Sequence, residues 1–125
     1  MNLVLDAGAL IGIDRDSRRT AGLIELGRRS GANLVTSAPV VAQAWRGGGR
    51  QARLARLLAM IEVRAAHLPD AQAAGELLAS SGSADVVDAL LAMVAVPGDQ
   101  VLTSDPDDLR MLLAHRDIPV TVVRV

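Results

Sequence analysis

Four aspartates carry the chemistry open to this sequence. Asp6 closes a short apolar run, Asp85 and Asp88 stand three residues apart around Val86-Val87, and Asp105 follows Val101-Leu102-Thr103. Carboxylates gathered at strand ends and on an inward helix face form an oxygen-rich cage suited to Mg2+ or Mn2+, and ions held this way commonly serve phosphodiester cleavage. Asp88 is the most telling, because Val86, Val87, Ala89, Leu90, Leu91 and Ala92 mark its surroundings as buried. A buried carboxylate is costly unless it is paired, hydrogen-bonded or bound to a cation. Asp85 falls on the same face of a continuous helix, where two like charges repel unless something positive lies between them. Each acid also has a plainer reading: Asp6 as a helix N-cap, Asp105 before Pro106 as a turn former, and Asp88 as the partner of an arginine.

Composition removes several other chemistries. There is no cysteine, so thiolate zinc sites, disulfides and thiol catalysis are excluded. All 13 basic residues are arginines, which excludes P-loop and Schiff-base enzymes, both of which need a lysine. Trp45 is the only aromatic, so a stacking platform for single-stranded RNA is absent. A net charge of -1 argues against a generally basic nucleic-acid-binding shell. The N-terminus lacks the basic start and apolar length of a signal peptide, and the run from Ala89 to Val96 is far too short to span a bilayer, so a cytoplasmic protein is expected.

At 125 residues the chain is expected to form one domain, 1–125. Strands are predicted at Leu3–Leu5, Asn33–Thr36, Glu62–Ala65, Gln100–Thr103 and Pro119–Val125. Helices are predicted from Ala9 to Ile13, from a Ser17 cap to Arg29, from Ser37 through Trp45, from Arg50 to Met60, from Asp70 to Ala79, from a Ser83 cap through Ala84 to about Val96, and from Asp107 to His115. About five short strands separated by helices predict an α/β three-layer sandwich with a mainly parallel sheet. Ligands of such sheets bind beyond the carboxyl ends of the strands, where Asp6 and Asp105 stand.

The order of Leu-Asp-Ala-Gly-Ala-Leu-Ile at 5–11, Ser37-Ala38-Pro39-Val40-Val41-Ala42, Asp88-Ala89-Leu90-Leu91-Ala92, and Leu102-Thr103-Ser104-Asp105-Pro106-Asp107-Asp108-Leu109 resembles the PIN domain, most of all the small VapC-type toxin ribonucleases of bacterial toxin-antitoxin pairs. The resemblance spans essentially the whole chain. It implies that Asp6, Asp88 and Asp105 are the catalytic acids, with Thr103 as the hydroxyl of the Thr-x-Asp motif. It also implies supplementary acids at Asp85 and Asp108, bound Mg2+ or Mn2+, RNA cleavage by a metal-activated water, a homodimer, and a VapB-type antitoxin partner. The chain departs from the family at two positions: Gln43 stands where a glutamate is usual, and Gly8 where a serine, threonine or asparagine is usual. A catalytically weakened PIN-like domain acting as an RNA- or protein-binding module is therefore the alternative.

Gln43 lies in an apolar helix, where it reads either as a core amide or as a neutral group facing the same pocket. Arg46, Arg50, Arg53 and Arg56 flank Gly47-Gly48-Gly49 and form either a solvated face or a grip for RNA phosphates or an acidic antitoxin segment. His67 and His115 are isolated and read as surface residues. A receiver domain would need a late lysine, and a phosphatase of the Asp-x-Asp type would need a second acid at position 8; neither is present.

Overall fold

A computed structural model describes residues 1–125. Five parallel strands form its sheet: β1 (Asn2–Leu5), β2 (Asn33–Ser37), β3 (Glu62–Arg64), β4 (Gln100–Thr103) and β5 (Thr121–Arg124), in the order β3-β2-β1-β4-β5. Seven α-helices connect them: α1 (Ala7–Asp14), α2 (Arg18–Arg29), α3 (Ala38–Ala44), α4 (Ala52–Met60), α5 (Leu68–Ser81), α6 (Val86–Val94) and α7 (Pro106–Arg116). Helix α1 packs against α2, α3 and α4, and α5, α6 and α7 pack against one another, so the sheet is flanked by helices as expected. The central strands are correspondingly apolar: Leu3, Val4, Leu5, Val101 and Leu102 are all buried.

This strand order has a direct consequence for the site. From β1 the chain winds outward through β2 to β3, then returns across the sheet to β4 beside β1 and winds the other way to β5. The reversal opens a crevice between the carboxyl ends of β1 and β4. Leu5 pairs with Leu102, and the Asp6 N–H donates to the Leu102 carbonyl at 2.9 Å, so Asp6 and Thr103 emerge at the same level.

Several element boundaries differ from the sequence reading. Asp85, not Ser83, caps α6, so that helix begins at Val86 rather than Ala84 and stops at Val94. The Ser83 hydroxyl instead accepts from the Asp85 N–H at 3.2 Å, tightening the turn that leads in. Helix α5 begins two residues early, because Pro69 suits a first turn and Asp70 reaches back to accept from the His67 N–H at 3.0 Å. The end of α3 is at Ala44, and a short 3-10 turn, Gly49–Gln51, precedes α4. The third and last strands are shorter than expected, ending in β3 at Arg64 and starting in β5 at Thr121.

Candidate metal centre

The crevice gathers five acids. Asp6 leaves β1 as the N-cap of α1, Asp105 and Asp108 stand at the start of α7, and Asp85 and Asp88 open α6. Asp6 and Asp88 are buried, at 6% and 7% exposure, whereas Asp85, Asp105 and Asp108 face solvent.

Asp6 serves both of its sequence readings. One carboxylate oxygen accepts from the Ala7 N–H at 2.7 Å as a helix cap, and the other accepts from the Thr103 hydroxyl at 2.6 Å. Thr103 is fully buried, and its oxygen in turn accepts from the Asp105 N–H at 3.0 Å. This one hydroxyl therefore ties the end of β1 to the loop that carries Asp105. Asp105 occupies the N-cap position of α7 but makes no capping bond, which leaves its carboxylate free of that structural duty. Asp85 does cap α6, accepting from the Asp88 N–H at 3.0 Å; it lies just outside the helix rather than on a shared helical face.

The acids repel one another closely enough to shift each other's protonation. Burial pushes the Asp6 carboxyl up; the Thr103 and Ala7 hydrogen bonds oppose this, and the charges of Asp85 and Asp105 reinforce it. Asp88 is pushed up to about 7, first by burial and then by the charges of Asp6, Asp85, Asp108 and Asp105. Asp108 is raised by a hydrogen bond with Asp105 and by that neighbour's charge. None of the five acids has a guanidinium partner, since every ion pair of the molecule lies elsewhere. The arginine reading of Asp88 thus fails. Its carboxylate makes no hydrogen bond, yet its oxygens are not sealed from solvent.

The donors fit a hard divalent cation: only oxygen ligands, no thiol, and an excess of negative charge with no cationic side chain paired to it. The ligand shell is not fully drawn in, because no three of the acids converge at joint coordinating distance.

Other anticipated residues lie differently. Gln43 is exposed and makes no hydrogen bond, because only Val40 and Ala44 of the short helix α3 are buried. The core-amide reading is therefore wrong. Arg46 folds back onto the carbonyls of Ala42 and Trp45, at 3.0 and 2.7 Å, and so closes the end of α3. Arg53 stands 3.6 Å from Asp16 in an exposed pair, while Arg50 and Arg56 are exposed. His67 and His115 are exposed, as read from the sequence. Gly8 has a steric explanation: a Cβ there would stand 2.4 Å from the Ser104 hydroxyl and 2.7 Å from its backbone nitrogen. A larger residue would push α1 away from the loop that bears Asp105.

Sequence reasoning missed Gln51. It is buried, accepts from the Arg46 and Gly47 N–H groups at 2.7 and 2.8 Å, and donates to the Ala44 carbonyl at 2.9 Å, organising the glycine loop. It also missed Arg116, whose guanidinium caps the open end of α6 at the Ala92 and Ala95 carbonyls. The available signals were weak: a glutamine two residues past three glycines, and an arginine at the end of a helix.

No family model and no curated protein matches the sequence. Among solved structures, the chain matches one chain of the crystal structure of VapBC2 from Rickettsia felis bound to a DNA fragment from their promoter, with a TM-score of 0.67 and 14% identity. The match covers 100% of this chain and 99% of that one. At that identity the likeness is one of fold, and it extends over every strand and helix described above.

Proposed function

We propose that the protein is a Mg2+- or Mn2+-dependent endoribonuclease acting as the toxin of a toxin-antitoxin pair, with Asp6, Asp88 and Asp105 as its catalytic acids. The observation that carries this reading is an uncompensated carboxylate cluster at the sheet's reversal point, including the buried Asp88 held near pKa 7 with no cation beside it. A domain that needed Asp88 only for stability would gain by pairing it or replacing it with an apolar residue.

When bound, a divalent ion lowers the pKa of a water and offsets charge developing on the scissile phosphate. Asp6, Asp88 and Asp105 would hold that ion, and Asp85 would supply a further carboxylate. Thr103 keeps the Asp6 carboxylate turned toward the crevice and the Asp105 loop closed against it. The small residue at position 8 lets α1 sit against Ser104, setting the separation between these two acids. A VapB-type antitoxin partner belongs to the same proposal, supported by the fold shared with a chain of VapBC2, and a homodimer is part of it as the family resemblance implies.

A second reading has its own support. With Gln43 in place of a glutamate and no three acids drawn together, the domain could serve as a binding module with weak or no turnover. Calorimetry with Mn2+ separates the two. Binding that disappears in Asp6→Asn, together with Mn2+-dependent RNA cleavage lost in the same variant, supports the nuclease. No heat of binding at millimolar Mn2+ supports the module.

A further inference from the structure

Beside the acids lies a second cleft that the catalytic proposal leaves unused. It is open, about 380 Å3 in volume, and its walls include Gly8, Gly12, Arg15, Ser17, Thr20 and Ser104. Gly8 is two residues from Asp6, and Ser104 adjoins both Thr103 and Asp105, so the cleft begins where the acidic crevice ends. Its side chains differ in character: none of the eight that line it is acidic, and alongside Ile11 and the last residue, Val125, they offer hydroxyls, backbone and one guanidinium.

That guanidinium has no partner within the protein. Arg15 is exposed and makes neither a side-chain hydrogen bond nor an ion pair. Neither flanking acid pairs with it: Asp14 accepts from the Gln51 amide at 3.3 Å through one oxygen, its other oxygen being buried without a partner, and Asp16 stands beside Arg53. Arg19, from the same side, is spent on the Arg124 carbonyl at 2.8 Å. Close packing fixes the floor, because a Cβ on Gly12 would come within 2.4 Å of the Thr20 hydroxyl.

We propose that this cleft seats a phosphodiester in the flank of a single-stranded RNA substrate, held by Arg15, and so makes cleavage depend on the length of RNA beyond the scissile bond. The proposal rests on the nuclease reading for its substrate class. A free guanidinium with nearby hydroxyls suits a phosphate and ribose, and a channel without acidic side chains leading from a negative centre suits a polyanion that must cross it. Helix α1 separates Asp6 from Arg15, and at about 1.5 Å per residue their levels differ by roughly 14 Å. That corresponds to about four stacked nucleotides at roughly 3.4 Å each, or fewer in an extended strand.

The test compares wild type, Arg15→Ala, Arg15→Lys and, as a surface-charge control, Arg18→Ala. Each binds fluorescein-labelled single-stranded RNAs shortened stepwise from either end, read by anisotropy with Ca2+ replacing Mn2+; cleavage with Mn2+ is measured in parallel. Arg15→Ala should weaken binding of the long RNAs about tenfold and lower the salt slope by about one. Arg15→Lys should recover part of the loss, and Arg18→Ala should change little. Wild type should lose the same tenfold once one flank is shortened past the cleft, and Arg15→Ala should lose nothing further. Equal losses in Arg15→Ala and Arg18→Ala, or an unchanged length dependence, would overturn the assignment. So would weakened binding of a fluorescein-labelled polyglutamate, titrated alongside, in Arg15→Ala with RNA binding unchanged, which would assign the cleft to a protein partner. Absence of Mn2+-dependent cleavage in wild type defeats the nuclease reading separately, and the binding series still decides the role of Arg15.

Discussion

Asp99 and Asp88 are both buried aspartates, yet they stand at opposite ends of the central strand pair and their surroundings differ. Asp99, at the amino end of β4, is 1% exposed and accepts from the Asn2 N–H at 2.8 Å, the Asn2 amide at 3.1 Å and the Val96 N–H at 2.9 Å. It fastens the start of β1 to the turn before β4. Asp88, at the carboxyl end, receives no hydrogen bond on its carboxylate and faces four other acids that raise its pKa. The same residue type is thus satisfied where the fold is closed and left unsatisfied where the crevice opens. Structural need accounts for Asp99 and not for Asp88, which is why the latter reads as a site.

If that contrast is right, Asp99→Ala should be the most damaging change to stability. It strands three donors at a buried position, and we expect a loss of about 3 kcal/mol, roughly 10 °C in Tm. Mn2+ binding at room temperature should be unaffected. Thermal melts and calorimetry on the same variant check both halves, and a loss of metal binding without loss of stability would invert the assignment of the two ends.

Asp6→Asn should follow, with its effect on activity. Removing the charge while keeping the side-chain shape and an oxygen to accept from the Ala7 N–H, with the Thr103 hydrogen bond reversed or lost, should lower Mn2+-dependent cleavage at least about 100-fold, or about 2.7 kcal/mol of transition-state stabilisation. Cleavage of a single-stranded RNA, followed on a gel, reads this directly. A purified Asp6→Asn as active as wild type would remove the catalytic role.

The central scaffold was legible because apolar runs report burial directly. Leu3–Leu5 and Val101–Leu102 read as interior strands, and Asp6 directly after the first and Asp105 three residues after the second fall at the sheet's carboxyl edge. The choice between Ser83 and Asp85 as the cap of α6 was not legible, because both are good caps and only the course of the preceding turn decides between them. Gln43 misled for a related reason: α3 looks apolar throughout, but at seven residues it buries just one stripe. The roles of Arg46 and Arg116 depend on which helix ends come within reach, information that resides in tertiary geometry. The acids' lack of any cationic partner was likewise beyond the sequence, since 13 arginines offered many candidates.

Asp88→Asn sharpens the contrast from the stability side, with a sign opposite to that at Asp99. The folded pKa of Asp88 is raised to about 7 above an ordinary carboxylate value, so the stability it contributes is present at low pH and lost as pH rises through about 7. In metal-free protein, Asn should therefore stabilise the fold at pH 8, by about 1–2 kcal/mol after allowing for the carboxylate's access to solvent, and by almost nothing near pH 4. Melts in chelator across that range would expose the difference. A destabilised Asp88→Asn at pH 8 would mean that the carboxylate has a stabilising partner.

Metal binding should carry the same signature in weaker form. An ion competes with protons for Asp88 and for the raised Asp6, so each proton displaced makes affinity climb with pH. Between pH 6 and 7, where the site is still partly protonated, Mn2+ affinity should rise by up to about tenfold, or about 1.4 kcal/mol, and the rise should flatten above pH 8. Calorimetry in two buffers of different ionisation heat counts the released protons independently of the affinity. Asp88→Asn should lower that count, whereas Asp99→Asn should leave it unchanged. Binding that is equally strong at pH 5.5 and 8 would show that the ion does not meet Asp88, and the distinction between the two ends of the sheet would then rest on Asp6 alone.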